Sequence, residues 1–183
     1  MTHGPWNVLL TVMPGPRHVS NVLGALDRFG RFRTTWFKDV CVAWVDDMTG
    51  MLDRITAART AGEPWAHCIA RMIPVERVFA FEPEDLVEQL KAAVASFADR
   101  LPDAATLCVR VERRGLEDRV HSRDVEHAIA DHLFALAEAA GKRLHVSFDD
   151  PDFVVAVEMI GPECGIALIP LEMRRRHPFV RLP

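Results

Sequence analysis

Lysine is almost missing from this chain. It stands only at Lys38, Lys91 and Lys142 against 19 arginines, and arginine is the cation that forks onto phosphate and stacks on bases. Serine is scarce as well. Ser20, Ser96, Ser122 and Ser147 are the full set, and none lies in a G-x-S-x-G elbow, which excludes the hydrolase nucleophile of that kind. Cys41, Cys68, Cys108 and Cys164 are far apart, with no CxxC pair and no histidine at zinc-ligand spacing, so they read as reduced residues, mostly in cores. Neither GxxxxGK, GxGxxG nor HExxH occurs, which removes the nucleotide cradles and the zinc-protease helix. No run approaches 18 uninterrupted apolar residues, and the first residues lack a basic n-region. A soluble cytoplasmic protein without a membrane partner is expected. The same absences lead to the expectation of no catalytic residue, no cofactor and no metal site.

What is present is the balance of a folded protein: 183 residues, 49% hydrophobic and 26% charged. A chain of this length buries roughly 70% of its unfolded surface and can build one or two cores without disulfides. The 22 basic and 26 acidic residues leave a formal charge of -4, so attraction to a polyanion must come from a local patch.

The first third alternates strand and helix signals. Trp6 to Val12 is a β-rich run closed by the turn Met13-Pro14-Gly15-Pro16. Val19, Val22, Leu23, Leu26 and Phe29 make one helical stripe, with Gly30 as its stop. Phe32 to Phe37 and Val40 to Val45 suit a hairpin closed by Lys38-Asp39. Met48, Met51, Leu52, Ile55 and Ala58 give a second helix ended by Gly62 and Pro64, and Cys68 to Ile73 or Val75 to Phe81 supplies a fourth strand. The order βαββαβ is the ferredoxin-like pattern. The pattern then restarts. Pro83, Glu84 and Asp85 open a helix with the stripe Leu86, Leu90, Val94, Phe97 and Leu101. Thr106 to Val111 is a strand, and Ser122 caps a helix carrying Val125, Ile129, Leu133 and Leu136 that ends at Gly141. Leu144 to Phe148, Phe153 to Ile160 and Gly165 to Ile169 are three more strands. The fold class is α+β in two units, with no Gly-rich or Ser-rich linker between them.

Most candidate chemistry has a plainer account. Adjacent residues on a strand point to opposite faces, so His67 and Cys68 cannot form a nucleophile-base pair there. His127 and Asp131 share a helix face near His132, as surface residues also do, and Asp149, Asp150 and Asp152 suit a solvated turn better than an ion site. The arginines carry more information. Arg110, Arg113, Arg114, Arg119 and Arg123 bracket the loop between a strand and a helix N-terminus, against Glu112, Glu117 and Asp118. Guanidinium forks, free N-H groups and the positive end of a helix dipole meet there, a combination suited to phosphate. Arg174, Arg175 and Arg176 add a second basic run.

The segment Val109-Arg110-Val111-Glu112-Arg113-Arg114-Gly115, then His121-Ser122-Arg123-Asp124-Val125, then Val146-Ser147-Phe148-Asp149-Asp150-Pro151-Asp152-Phe153 leading into Val154 to Glu158, resembles the THUMP domain of tRNA-modifying enzymes. Arg71-Met72-Ile73-Pro74-Val75 resembles that domain's start. The preceding βαββαβ unit resembles the ferredoxin-like domain that accompanies THUMP in tRNA thiouridine synthetases, in some tRNA methyltransferases and in stand-alone adaptors of tRNA cytidine acetylation.

The resemblance implies a ferredoxin-like domain over residues 1–72, an α/β THUMP domain over 73–171 and a basic C-terminal tail over 172–183. It also implies recognition of the acceptor end of tRNA, the 3' CCA being gripped by THUMP, with presentation to a separate tRNA-modifying enzyme. Arg110, Arg113, Arg114 and Gly115 match the family's basic loop, and Ser122 and Arg123 the start of its helix; Arg119, Arg174, Arg175 and Arg176 complete the expected RNA-binding set. No methyltransferase, sulfur-transferase or deaminase motif accompanies them, so an adaptor rather than an enzyme is expected, with no DNA partner. Two rivals remain: a small enzyme with a site between the units around His67, His127 and His132, and a protein-protein interaction scaffold whose arginines bind an acidic partner.

Overall fold

The computed structural model describes residues 5–116 and 118–182, so Glu117 of the basic loop and the first residues of the chain lie outside it. The chain forms two compact units. One comprises the described residues up to Val75 together with Glu172–Leu182, the other Glu76–Leu171.

The first unit runs β1 (Val8–Val12), α1 (His18–Leu26), a 3-10 turn at Asp27–Phe29, β2 (Gly30–Thr34), β3 (Val40–Val45), α2 (Met48–Thr60), α3 (Pro64–His67) and β4 (Ile69–Pro74). The sheet order is β2-β3-β1-β4, with every neighbouring pair antiparallel. The βαββαβ order expected from the alternating apolar pattern is therefore present, with α3 inserted. Asp47 starts α2 by accepting the Gly50 N-H at 2.8 Å, which satisfies a donor the helix cannot.

Local differences from the sequence reading have local causes. The hairpin loop is Thr35 to Asp39 rather than two residues, because a two-residue type I' turn needs positive φ at both centres and only Asp39 has it, at 59°. Thr35 closes the wider loop: its N-H donates to Val40 O at 3.0 Å and its hydroxyl accepts the Phe37 N-H at 3.1 Å. Gly30 does not stop α1 but opens β2. A Cβ there would lie 2.1 Å from the Trp44 carbonyl oxygen. Gly30→Ala is therefore expected to cost about 1–3 kcal/mol, measured as a lowered urea midpoint, and unchanged stability would mean the strands separate freely at this point.

His67 and Cys68 are not on a strand. They end α3, and the Cys68 thiol donates to Pro64 O at 3.4 Å. Cys68 is half-buried while the other three cysteines are buried; burial pushes the Cys41 thiol up to about 11, with Asp39 adding to it.

The expected basic tail is packed instead. Helix α6 covers Leu171–Arg176, and His177, Phe179 and Val180 beyond it are buried. Phe179 O accepts the Met72 N-H at 2.9 Å, and His177 Nδ1 lies 2.8 Å from the Thr56 hydroxyl. Burial lowers the imidazole of His177 below its usual range.

The second unit contains β5 (Arg77–Ala80), α4 (Leu86–Arg100), β6 (Thr106–Arg114), α5 (Ser122–Ala139), β7 (His145–Val146), β8 (Phe153–Ile160) and β9 (Glu163–Pro170). Both alternatives for the fourth strand thus exist, one in each sheet. The order is β5-β9-β8-β6-β7; β6 runs parallel to β7 and β8, and β9 antiparallel to β8 and β5. Leu86, Leu90, Val94 and Phe97 of α4 and Val125, Ile129 and Leu133 of α5 share one core with Val109, Val111, Val155, Val157 and Ile166 of the sheet. Helical spacing of 3 and 4 against strand spacing of 2 is what lets these rows meet.

Candidate nucleic-acid interface

The site begins with a mismatch in strand length. Strand β7 pairs only with Thr106 and Leu107, whereas β6 continues to Arg114, so among the described residues the rest of that edge has no strand beside it. Backbone N-H and C=O groups alternate sides along a strand. Leu107 O accepts the Ser147 N-H at 3.2 Å, and the Val111 N-H donates to the Glu126 carboxylate at 2.9 Å. Val109, midway, turns its N-H and C=O to the same open side.

A groove of about 370 Å³ lies along this edge, and its lining includes Val109, Arg110, Arg123, His127, Asp131 and Phe148. The α5 members recur every four residues, one face of the helix. Phe148 is 69% exposed, and the Arg110 guanidinium lies 5.2 Å from its ring centre, an attraction of a cation for the ring face. Arg123 sits in the first turn of α5, where the helix dipole adds positive potential. Among the described residues the side chains of Arg123, His127 and Asp131 have no hydrogen-bonding partner.

The turn that carries Phe148 is fixed from both ends. Ser147 Oγ donates to Asp149 O at 2.8 Å, Asp150 adopts a φ of 47°, and the Asp152 carboxylate accepts the Thr106 N-H at 2.9 Å and its hydroxyl at 2.7 Å. Asp152 is thereby committed to β6, and among the described residues no three His, Cys, Asp or Glu side chains converge as metal ligands would.

The other expected residues are placed differently. Arg113 and Arg114 are not exposed loop residues; they end β6. The Arg113 guanidinium donates to Val120 O and so holds the following loop. Arg114 is 11% exposed and pairs with Glu158 at 2.8 Å, with Glu112 3.6 Å away. Gly115 turns the chain at a φ of 87°, and Leu116 follows at 63°. Arg119 pairs with Glu84 at 2.6 Å. Ser122 is the first residue of α5, not its cap; His121 occupies the cap position with an extended backbone. Arg174, Arg175 and Arg176 lie on α6, assigned to the first unit, and Arg176 holds Asp53 at 2.9 Å. Of the expected set, only Arg110 and Arg123 line the groove. Phe148, His127 and Asp131 line it too, and of these Phe148 was within reach of the sequence, as an aromatic placed directly before an Asp-Asp-Pro turn.

The family model of the THUMP domain matches residues 83–168. The chain carries a THUMP domain. THUMP is an RNA-binding domain class, and the groove lies within the matched residues. No curated protein sequence matches the chain. Among solved structures, PH1313 from Pyrococcus horikoshii Ot3 is similar at 10% identity and a TM-score of 0.59, over 91% of this chain and 55% of that one. TrmN from Thermus thermophilus is similar at 19% identity and 0.58, over 92% and 47%. A 4-thiouridine synthetase solved with RNA and ATP is similar at 14% identity and 0.57, over 90% and 41%. This chain spans about half the length of these proteins or less, and at such identities they share its fold. No helix among the described residues is long and apolar enough to cross a membrane.

Proposed function

We propose that this THUMP protein binds the acceptor end of tRNA, seats the single-stranded 3' CCA in the groove beside β6, and presents it to a separate tRNA-modifying enzyme. The observation that carries the reading is the groove itself, where an exposed aromatic ring, two arginines and an open strand edge meet. Single strands are held by bases stacking on aromatic faces and by cations tracking the backbone, and the groove offers Phe148 for the first role and Arg110 and Arg123 for the second. The start of α5 adds free N-H groups suited to a phosphate. A similar fold in a 4-thiouridine synthetase solved with RNA supports the nucleic-acid reading.

In this reading catalysis belongs to the partner. Holding a target base near another protein's site raises its effective concentration to the millimolar range without any chemistry in the holder. The test is a gel-shift titration with tRNA, the same tRNA trimmed of its CCA, and a blunt duplex of equal length. Intact tRNA is expected to bind best, and equal affinity for intact and trimmed tRNA would remove the acceptor-end claim. Purified protein incubated with tRNA and candidate donors should leave the nucleosides unchanged, while a deletion strain should lose one modification by mass spectrometry.

A further inference from the structure

We propose that the outer edge of β2, in the first unit, takes up an extended protein segment as an added strand, one in which acidic and apolar residues alternate. The inference uses neither the groove nor the RNA-binding reading.

Strand β2 is the last of its sheet, and among the described residues no strand pairs with its outer side. The Thr35 N-H donates inward, to Val40 O at 3.0 Å. Inward and outward groups alternate along a strand, so Arg31 and Arg33 also bond toward β3, while Phe32 and Thr34 turn their N-H and C=O groups outward. An added strand answers that row without disturbing the sheet.

The two faces of this edge differ in chemistry. Arg31 stands opposite Trp44 and Arg33 opposite Val42, so both arginines share one face with the exposed ring of Trp44. Arg31 is exposed, with no partner among the described residues. Arg33 donates to Pro5 O at 3.1 Å and adds charge of the same sign. Thr34 lies on the other face, opposite Cys41, and both line a hollow of about 190 Å³ whose walls include Val19 of α1 and Trp36. That hollow is below the size of a small-molecule site and suits one apolar side chain. Successive residues of an added strand point to opposite faces. Those beside Arg31 and Arg33 meet cations, and those beside Thr34 meet the hollow.

The same features discriminate among occupants. A second copy pairing through its own β2 in antiparallel register would set arginine against arginine, which is unfavourable. A nucleic acid would meet the cations through its phosphates but has no row of donors and acceptors at the spacing of a strand edge. Asp46, which accepts the Trp44 indole N-H at 3.0 Å, also holds an anion beside that ring. An acidic extended peptide satisfies the backbone row, the charge and the hollow together.

The probes are two capped seven-residue peptides, one alternating valine with glutamate and one alternating valine with lysine, titrated into isotope-labelled protein and followed by amide NMR. The glutamate peptide is expected to shift the amides of Phe32 and Thr34 and slow their hydrogen exchange, and to leave the exchange of Arg31 and Arg33, already bonded toward β3, as it was. Arg31→Glu, at an exposed side chain, should weaken the glutamate peptide about fivefold, the upper value for an opposite-charge pair across strands, and should strengthen the lysine peptide. Thr34→Pro, which removes one outward N-H where an edge strand tolerates proline, should weaken the glutamate peptide too. No shift at Phe32 and Thr34, or equal binding of the two peptides by the native protein, would overturn the proposal. So would the same amides shifting when protein concentration alone is raised, which assigns the edge to a second copy, or shifting at lower concentrations of a single-stranded RNA than of the peptide.

Discussion

Arg114→Ala is expected to destabilise the second unit by about 3–5 kcal/mol, the loss found when one partner of a buried ion pair is removed. Glu112 on β6 stands in register with Glu158 on β8, so two carboxylates face each other across a parallel pair, and the Glu158 side chain is 1% exposed. Arg114, one pleat along, answers both, at 2.8 and 3.6 Å. Its removal takes a cation away from a carboxylate held in a dry environment, where desolvation is costly. The buried thiol of Cys164 is pushed up by its burial and by the same carboxylate. The urea midpoint of Arg114→Ala should fall sharply, and Arg114→Ala with Glu158→Gln should regain part of the loss. Arg123→Ala, on an exposed helix turn, should stay within about 0.5 kcal/mol. A loss below about 1 kcal/mol for Arg114→Ala would show that the pair is solvated and would return Arg114 to the set of free cations.

The contrast between these two arginines marks what the sequence can and cannot express. Periodicity is local, so the stripes of α4 and α5 and the β-branched runs of β6 and β8 were legible, and their buried faces fall where spacing put them. A run of arginines beside a glycine reads as a solvated loop because that reading uses only neighbours. The partner of Arg114 is 44 residues away, and nothing near Arg114 announces it. The groove was hidden for a related reason. It exists because β7 has two residues while β6 has nine, and a strand's pairing length depends on what lies opposite. Phe148 stood in a recognised motif without a role, since an aromatic in a strand-like run is more often core than platform.

Phe148→Ala is expected to weaken binding of a 3' single strand roughly 5- to 150-fold, the value of about 1–3 kcal/mol for one stacked base. The ring is mostly solvent-exposed, so its loss should leave stability within about 0.5 kcal/mol, and a changed affinity cannot be ascribed to unfolding. Stacking and charge can be separated by salt. Each phosphate contact on single-stranded RNA contributes about 0.7 to the slope of log affinity against log salt. Phe148→Ala should lower affinity at every salt concentration with the slope unchanged, whereas Arg123→Ala should reduce the slope by about that amount. Phe148→Trp, which keeps a flat ring of equal or larger area, should restore binding. Arg110 leans on the ring, so Arg110→Gln must be titrated beside it: a slope change there, absent in Phe148→Ala, assigns the cation to phosphate and the ring to the base. Native affinity in Phe148→Ala would dismiss the groove as the single-strand site.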